Sequence, residues 1–469
     1  MGKIQTDYLV IGSGAVGMAF VDTMLDESDA NFVIVDRHHM PGGHWNDAYP
    51  FVRLHQPSAF YGVSSIPLGG DRIDEVGSNK GFYELATGSE VVAYFDRVMR
   101  ERLLPSGRVQ YFKMSDFSDG KITSLLSGDV RDVEIRKKIV DGTFFSTSVP
   151  STHIRKYSVA DEVTCIPPND LPRNADQFKH YTVIGGGKTA MDSIVWLLDN
   201  GAAPNTVTWV CPRASWLINR RITQPGRKFF NDAIGGAADQ FEALGAATSI
   251  EDLFHRLEDA DLMFRIDPSI QPEMFHYATT SIGEVEQLRR IDNVVRGERV
   301  EAIDVGTVKM KSGTTISAEP DTLYIDCTAT AVDFVTKRDI PVFEPDRITL
   351  QPVFAPLASY SAAIVAFVEA QYDDDAKKNM LCKPVPLADT PAEWPMSMLG
   401  NLMNQNAWSQ DDKMRDWTQA CRLNPTAAAV TDPAPFTEEE KAIVSRVRQA
   451  VIPAAMNIQK LLAAETEPA

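Results

Sequence analysis

The sequence predicts an α/β fold with two Rossmann-like, doubly wound domains and a C-terminal helical region. Two glycine-rich turns predict it, one starting at Gly12 and the other at Gly185. Each turn follows a short apolar run and precedes a segment with helical periodicity, which is the order expected of a parallel sheet flanked by helices. A chain of 469 residues allows two to four domains at roughly 100–200 residues each.

Composition excludes several classes of protein. Hydrophobic residues make up 44% and charged residues 23%, which argues against a disordered or coiled-coil chain. With 46 basic and 64 acidic residues, the formal net charge of −18 is a poor match for nucleic acid or an anionic membrane surface. No apolar stretch reaches the ~20 residues that a bilayer-spanning helix needs, so we expect no membrane span.

The N-terminus and the cysteines indicate the cellular compartment. No basic head followed by an apolar run and a cleavage site is visible, so we expect no signal peptide and a cytoplasmic location. The five cysteines form no CxxC pair, which argues against a zinc knuckle and a local redox dithiol. Asp373–Asp375 has no other ligand residues nearby, so it is interpreted as a solvated turn, and no metal site is predicted.

The first glycine turn belongs to a complete strand–turn–helix–strand unit. Residues 7–17 read DYLVIGSGAVG, and a second apolar strand at 32–35 ends at Asp36, 19 residues after Gly17. In this fingerprint the first glycine permits the tight turn, the second lets the backbone approach a pyrophosphate, and the third packs the helix against the strand. The acid accepts hydrogen bonds from ribose hydroxyls, and the helix N-terminus favours phosphate. The residues predicted to bind this first nucleotide are Gly12, Gly14, Ala15, Gly17, Asp36 and Arg37.

The second glycine turn has the form GxGxxA. Residues 181–192 read YTVIGGGKTAMD, and the next strand covers 206–210. The GKT letters are not a P-loop, because GxxxxGK(S/T) would need glycine where Thr182 stands. A second unit of this kind exceeds what a dehydrogenase with a single nucleotide needs. The predicted binding residues here are Gly185, Gly187, Lys188 and Thr189.

The second strand of this later unit ends without an acid. Its continuation is Val210-Cys211-Pro212-Arg213, and an arginine at this place suits the 2′-phosphate of NADP, whereas an acid suits NAD. NADPH is therefore favoured over NADH. Lys188, Arg220 and Arg221 are alternative partners for the same phosphate.

The residues that follow the first unit carry a family resemblance. Gly42-Gly43-His44-Trp45 comes just after the strand that ends at Asp36. With the two glycine turns, this pattern resembles the two-dinucleotide-binding flavoprotein superfamily, and most of all the class B flavin monooxygenases, over about residues 7–329. The resemblance implies that the first nucleotide is FAD and that Gly43, His44 and Trp45 lie near its pyrophosphate or ring.

The resemblance also suggests candidate catalytic residues and an organisation of domains. The segment after the loop passes the flavin ring in that family, so Gln56, with His55 or Arg53 beside it, is a candidate for contact with the ring; His55 can equally be a satisfied polar side chain. Cys327-Thr328-Ala329 stands where the family has an ATG-type strand that returns to the FAD domain, which assigns Ala329 to the cofactor site. The predicted domains are an FAD-binding part at 1–160, an NAD(P)H-binding part at 161–320 with a helical insertion at 230–265, and a return to the FAD domain with C-terminal helices at 321–469.

The predicted function is that of an oxidoreductase dependent on FAD and NADPH. In the family that the sequence resembles, the reduced flavin forms a hydroperoxide with O₂ and oxygenates a small lipophilic or soft-nucleophile substrate, which would make O₂ and a small molecule the partners here. The family's FxGxxxHxxx linker motif is missing, with Ser151-Thr152-His153 as its nearest remnant, so a reductase that does not oxygenate remains an alternative. A redox sensor that binds the nucleotides without turnover is another, and a homo-oligomer is left open. Cys327 lies in an apolar strand and is interpreted as a core thiol.

Overall fold

The strands of the computed structural model form four sheets. The structure describes residues 3–145, 147–330, 332 and 340–466. Over these residues the strands are, in chain order, β1 (Ile4–Ile11), β2 (Phe32–Val35), β3 (Val109–Phe112), β4 (Ser115–Ser118), β5 (Lys121–Ser124), β6 (Val130–Asp141), β7 (Ser158–Val159), β8 (Cys165–Ile166), β9 (His180–Ile184), β10 (Val207–Cys211), β11 (Ser215–Asn219), β12 (Met263–Phe264), β13 (Met274–Thr280), β14 (Val294–Arg296), β15 (Val300–Asp304), β16 (Thr307–Met310), β17 (Thr315–Ser317), β18 (Thr322–Asp326) and β19 (Arg347–Thr349).

The α-helices flank these sheets and dominate the C-terminal third. Over the same described ranges they are α1 (Ala15–Glu27), α2 (Gly88–Val98), α3 (Leu171–Asn174), α4 (Lys188–Asp199), α5 (Phe230–Ala246), α6 (Ile250–Asp259), α7 (Ile282–Leu288), α8 (Ala358–Gln371), α9 (Asp375–Leu381), α10 (Trp394–Ser409), α11 (Asp412–Ala420), α12 (Ala427–Val430) and α13 (Glu438–Thr466). Among the described residues, none of these helices combines the length and the apolarity that crossing a bilayer requires.

The first sheet is built from two distant parts of the chain. Its parallel strands lie in the order β3-β2-β1-β6, and β19 pairs in parallel with the carboxyl end of β6. The antiparallel strands β5 and β4 extend from the other half of β6. Because β19 arrives some two hundred residues after β6, the first domain is discontinuous, with the second inserted between its parts. The predicted fold class of two doubly wound units followed by helices is confirmed.

The second sheet is wholly parallel, in the order β14-β10-β9-β18-β8. Strand β18 lies beside β9 in this sheet, so the chain leaves the second domain only after Asp326. A boundary at 321 therefore cuts off one of its central strands. The sequence does not reveal this, because a short apolar strand buried on both faces has the same pattern in either sheet.

A helical layer covers the second domain. Helices α5 and α6 fall within the range 230–265, next to the small sheet β12-β11-β13. The long helix α13 packs along α5, where Arg446 pairs with Asp239 and Glu242. The two helices thereby join the C-terminal region to the insertion.

A group of hydrogen bonds and ion pairs connects helices α8 and α9 to strands β1 and β6 of the first sheet. The hydroxyl of Tyr8 in β1 donates to Glu369 of α8 at 2.8 Å, and Lys378 of α9 donates to the other carboxylate oxygen of Glu369 at 2.6 Å. Lys138 of β6 donates to Asp375 at 2.7 Å. Asp375 is thus an ion-pair partner of the sheet, not part of a solvated turn as the sequence suggested. Its partner lies far away along the chain, which is why the local pattern gave no sign of it.

Helix α1 packs unusually close to β1 at Gly17. A Cβ atom on Gly17 would lie 2.1 Å from the carbonyl oxygen of Gly12. Real side chains never approach a backbone oxygen that closely, so only glycine fits unless the helix moves. The structure shows at Gly17 the close packing of helix against strand that the sequence pattern predicts.

We expect Gly17→Ala to destabilise the protein by about 1–3 kcal/mol, the usual cost of overpacking. The added methyl group must push α1 away from the turn at Gly12. Gly187→Ala is the matched control, because a Cβ there meets no heavy atom within 4 Å and its φ is −92°. The urea midpoint of the two variants measures the difference. Equal midpoints would contradict the packing argument.

Candidate functional site

The first glycine turn lies where β1, α1 and the end of β6 meet. Gly12 has φ +96°, and its N–H donates to the carbonyl of Val35 at 2.8 Å, which fixes the turn against β2. From the other side, Gly142 donates to the carbonyl of Ile11 at 2.9 Å, and a Cβ on Gly142 would lie 2.7 Å from that oxygen. Sequence reasoning missed Gly142, although a glycine directly after a long strand was a signal for it.

The N-terminus of α1 has the donor set that a diphosphate requires. Gly14 is the N-cap, no side chain caps the helix, and its first turn contains no acidic residue. Gly43 lies over this turn, since a Cβ on Gly14 would be 3.5 Å from the Gly43 Cα, and Gly42 donates to the carbonyl of Ser13 at 2.9 Å. The structure therefore brings Gly14, Ala15 and Gly43 together around a cradle free of side chains, which fits the pyrophosphate of a dinucleotide.

Asp36 is buried, at 5% exposure, and is oriented by the chain around it. Its Oδ2 accepts from the N–H of Ser13 at 2.5 Å and from the Ser13 hydroxyl at 2.8 Å. Its Oδ1 accepts from the N–H of His38 at 2.7 Å and lies 2.9 Å from His38 Nδ1. Burial raises the pKa of the Asp36 carboxyl, but the hydrogen bonds from His38 and Ser13 outweigh it and leave the pKa below its ordinary value. Asp36 is therefore an anion at neutral pH, placed where a ribose would lie.

His38 connects this acid to the glycine–tryptophan loop. Its Nε2 lies 2.8 Å from a carboxylate oxygen of Asp47, so the imidazole bridges Asp36 and Asp47. The hydrogen bond with Asp36 raises the pKa of His38 to about 9, burial opposes it, and Asp47 adds to the rise. Neither His38 nor Ser13 was a candidate in the sequence analysis, because their role depends on contacts with Asp36.

Arg37, in contrast, points away from this site. Its side chain is 72% exposed and pairs with Asp116 on the surface at 2.7 Å. The prediction that its guanidinium contacts the first nucleotide is not supported. Alternation along an extended segment puts Asp36 inside and Arg37 outside.

The loop residues His44 and Trp45 form an aromatic group with Tyr61. The indole Nε1 of Trp45 donates to the Tyr61 hydroxyl at 2.7 Å, and the His44 ring stacks on the Trp45 ring at 5.3 Å between centroids. Burial lowers the pKa of His44 to about 4, so its imidazole is neutral at neutral pH. These rings offer flat, uncharged surfaces beside the first turn.

The second glycine turn repeats the geometry of the first. The N–H of Gly185 donates to the carbonyl of Val210 at 2.9 Å, as Gly12 donates to Val35. Gly185 has φ +142°, and a Cβ there would lie 2.5 Å from the carbonyl oxygen of Cys327. Gly187 is the N-cap of α4, which again has no side-chain cap and no acid in its first turn. With Thr189 in that turn, this N-terminus also fits a diphosphate.

The position of Cys327 also corrects the interpretation of Ala329. The segment Cys327–Ala329 follows β18 at the second glycine turn, and not at a return to the first domain. The thiol of Cys327 is buried 3.6 Å from the Ser193 hydroxyl, and burial raises its pKa. The interpretation of Cys327 as a core thiol is confirmed. All five cysteines are free, and the described residues hold no cluster of three or more His, Cys, Asp or Glu that could bind a metal.

Lys188 does not direct its ammonium group to the turn. Its Nζ is buried in ion pairs with Asp192 and, at 3.2 Å, with Glu284. The prediction of a lysine–phosphate contact is therefore wrong for the side chain, although the backbone of Lys188 belongs to the uncapped helix start. The two carboxylates come from α4 and α7, and only the second lies far away in sequence.

A small cleft with a cavity volume of about 30 Å³ lies beside the second turn, at the end of β10. This is the place where a Rossmann-like unit holds the adenosine ribose. Arg213 is exposed, and its backbone packs on the turn, because a Cβ on Gly186 would lie 2.8 Å from its carbonyl oxygen. Arg265 and Arg296 line the cavity instead. Sequence reasoning missed both, since they lie more than fifty residues after the motif.

Of the alternative phosphate partners, Arg221 is also occupied elsewhere. It pairs with Asp232 of α5 at 2.6 Å. Arg220 is buried at the contact between the two domains and has no access to the cavity lining.

The three predicted catalytic residues differ in their exposure to solvent. Arg53 is exposed, the next residue Leu54 is buried, and Gln56 is half-buried. His55 lies near Lys188 and Arg220; burial lowers its pKa to about 3, and these two cations lower it further. His55 is thus a neutral imidazole at the boundary of the two domains.

The linker between the domains is also held by side-chain hydrogen bonds. His153 Nε2 lies 2.9 Å from a carboxylate oxygen of Asp326, at the end of β18. Ser151 donates to the carbonyl of Asp47 at 2.7 Å, and Asn169 donates to the same carbonyl at 3.0 Å. Ser151 and His153, which belong to the nearest remnant of the family's linker motif, therefore connect the glycine–tryptophan loop to the second sheet.

We expect His38→Gln to lower stability at neutral pH and to have less effect in alkali. A histidine whose folded pKa of about 9 exceeds its unfolded value contributes stability fully below about pH 6.5 and loses that contribution as pH rises through about 9. Urea midpoints between pH 6 and 10 should therefore converge for the two proteins. His39→Gln is the control at an exposed neighbouring position. A constant difference across this pH range would show that folding does not raise the pKa of His38.

Comparisons with curated proteins find relatives that are 45% identical over nearly the whole chain. No family model matches the chain. The uncharacterized protein Rv2000 of Mycobacterium tuberculosis (strain ATCC 25618 / H37Rv) is 45% identical over 465 residues, which cover 99% of this chain and 86% of that protein. The FAD-dependent monooxygenase resA of Aspergillus sclerotiorum is 26% identical over 213 residues, which cover 44% of this chain and 36% of that protein.

Two solved structures align with low identity. The flavin-containing monooxygenase from Stenotrophomonas maltophilia is 14% identical, covers 78% of this chain and 98% of its own, and has a TM-score of 0.44. The bacillithiol disulfide reductase Bdr (YpdA) from Bacillus cereus is also 14% identical, covers 79% of this chain and 100% of its own, and has a TM-score of 0.45. The identity with Rv2000 shows that this chain belongs to the same family as that protein.

Proposed function

We propose that the protein is an oxidoreductase that uses FAD at the first glycine turn and NADPH at the second. The observation that carries this proposal is the pair of uncapped helix N-termini, α1 and α4, each at the carboxyl end of a parallel sheet. In an open α/β sheet, ligands bind at that end. The Gly42–Trp45 loop over the first turn supports FAD as its ligand, since this loop is the feature that resembles class B flavin monooxygenases.

The residues of the chain would bind and orient the two cofactors. Asp36 would hold the ribose at the first turn, Gly14 and Gly43 leave space for the pyrophosphate, and Trp45 and His44 offer a flat apolar wall. His55 would present a neutral imidazole at the domain boundary, where the two cofactors would approach each other. FAD, when bound, supplies the redox chemistry between the nicotinamide and the final acceptor.

Oxygenation of a small molecule with O₂ is our first choice for the second half of the reaction, on the resemblance of the glycine–tryptophan loop. A reductase that does not oxygenate is the second candidate, favoured by the missing linker motif: His153 is engaged with Asp326. Disulfide reduction is disfavoured, because it needs a redox dithiol, and the cysteines are free, dispersed and mostly buried.

The absorption spectrum of the purified protein tests the cofactor assignment. We expect flavin bands that bleach anaerobically with NADPH, followed by O₂ consumption that depends on a substrate. A colourless protein that cannot take up FAD would overturn the proposal. Bleaching by NADPH with only H₂O₂ formed, whatever the substrate, would instead favour the reductase.

Preference for NADPH is expected to depend on Arg296. This residue ends β14, where it pairs with Cys211 of the neighbouring strand β10. Among the described residues its ion-pair partner is Asp267, at 3.0 Å. Arg265, by contrast, donates to both carboxylate oxygens of Glu258. A hydrogen bond to a charged group contributes about 1.5–3 kcal/mol, so Arg296→Gln should reduce the NADPH-over-NADH ratio of kcat/KM by roughly 10- to 100-fold.

Arg213→Gln distinguishes Arg296 from Arg213, the residue that the sequence favours as the partner of the 2′-phosphate. We expect it to change the cofactor ratio by less than Arg296→Gln, and Arg299→Gln, an exposed position outside the cavity, to leave the ratio unchanged. The ratio is measured with both nicotinamide cofactors under identical conditions. Loss of NADPH preference in Arg213→Gln alone would reverse the assignment.

A further inference from the structure

One segment of the first domain, Tyr49–Gln56, is held by the second domain from two sides. On the first side it contacts α4. The hydroxyl of Tyr49 donates to a carboxylate oxygen of Asp192 at 2.7 Å, and the Phe51 ring stacks on the Trp196 ring at 5.4 Å. Asp192 and Trp196 lie one turn apart on the helix that starts at the second glycine turn, so this segment rests directly on that helix.

On the other side the segment is held by Arg220. Its side chain is 1% exposed. Nε donates to the carbonyl of His55 at 2.9 Å, and Nη1 donates to the amide oxygen of Asn79 at 3.2 Å, both in the first domain. Within the second domain, Nη2 donates to the carbonyl of Thr279 at 3.2 Å, and Nη1 lies 2.6 Å from Glu284. One guanidinium therefore binds both domains at once.

Glu284 keeps this buried arginine in place. One of its oxygens faces Lys188, and the other faces Arg220 and the N–H of Ser281. Burial raises the pKa of the Glu284 carboxyl, but Lys188 and Arg220 outweigh it and hold the pKa far below its usual range. With Asp192, the group consists of two cations and two anions, so it carries no net charge at neutral pH.

Such a buried group fixes geometry more than it adds stability. Taking charges out of water is costly, and the cost is recovered only when every partner is in place. Arginine suits this role, because its planar fork places several donors in fixed directions, whereas lysine is a single point charge. The acceptors of Arg220 belong to both domains, so its fork fixes His55 and Asn79 of the first domain relative to Thr279 and Glu284 of the second.

We propose that Arg220 is a positioning residue that holds the His55–Gln56 segment of the first domain against the second, and thereby sets the distance between the two nucleotide sites. This inference rests on the proposed function for its effect on hydride transfer. Its structural half, the ordering of the segment, stands apart from any cofactor.

Arg220→Met tests both halves, with Arg220→Lys as the milder variant and Arg256→Met as the matched control. Arg256 lies in α6 of the helical insertion, and among the described residues its ion pair is with Asp252 of its own helix on the surface. The first readout is hydrogen exchange of a peptide that covers residues 50–57, measured on the protein without NADPH. We expect exchange there to be at least 10-fold faster in Arg220→Met, faster to a smaller extent in Arg220→Lys, and unchanged in Arg256→Met.

The second readout is the limiting rate of anaerobic flavin reduction at saturating NADPH. We expect at least a 10-fold fall in Arg220→Met with the content of bound FAD unchanged, and partial recovery in Arg220→Lys. Unchanged exchange in a folded Arg220→Met overturns the proposal, and so does an unchanged reduction rate.

The outcomes also separate this inference from the proposed function. A wild-type protein that is not reduced by NADPH refutes the function, while the exchange measurement still judges the positioning role. If Arg220→Met fails to fold, Arg220→Lys becomes the test of the proposal. Hydrogen exchange at residues 50–57 equal to that of the wild type would then contradict the positioning role of the Arg220 guanidinium.

Discussion

A helix that starts against the end of a strand with no side chain between them is the constraint on which both candidate nucleotide sites depend. At the first turn, a methyl group on Gly17 would lie 2.1 Å from a backbone oxygen. At the second, Gly185 meets Cys327 in a similar way, while fully buried Ala190 stands where the first turn has Gly17. The N–H groups exposed by this close approach belong to the backbone, so the capacity to bind a diphosphate is a property of the turn and not of any polar side chain.

The side chains around the first turn are oriented by one another. Asp36 accepts from Ser13 and His38, His38 reaches Asp47, and the carbonyl of Asp47 accepts from Ser151 and Asn169. A carboxylate that is buried at 5% exposure must be compensated in this way, because an unpaired charge away from water is costly. The same chain of contacts links Asp36 to the linker and, through His153 and Asp326, to the second sheet.

Buried charges also explain why several long side chains are not where local patterns put them. Lys188 stands in a glycine turn, but its ammonium lies between Asp192 and Glu284. Asp375 stands in an acidic run, but it pairs with Lys138. In both places a partner that is distant in sequence provides a better environment than solvent or a ligand. Arg220 is the strongest example, since its donors reach His55 and Asn79 of one domain and Thr279 of the other.

The sequence by itself determined the two strand–turn–helix units, the need for glycine at positions 12 and 17, the position of Asp36 at a strand end, and the core character of Cys327. These features follow from short-range periodicity and backbone sterics, which act within a few residues. Only the tertiary structure decided that Arg37 faces solvent, that Ala329 belongs to the second turn, that Arg265 and Arg296 line the cavity, and that Arg220 joins the domains. Each of these depends on which distant charge or carbonyl lies within about 3 Å, the range in which a hydrogen bond forms, and no local pattern contains that distance.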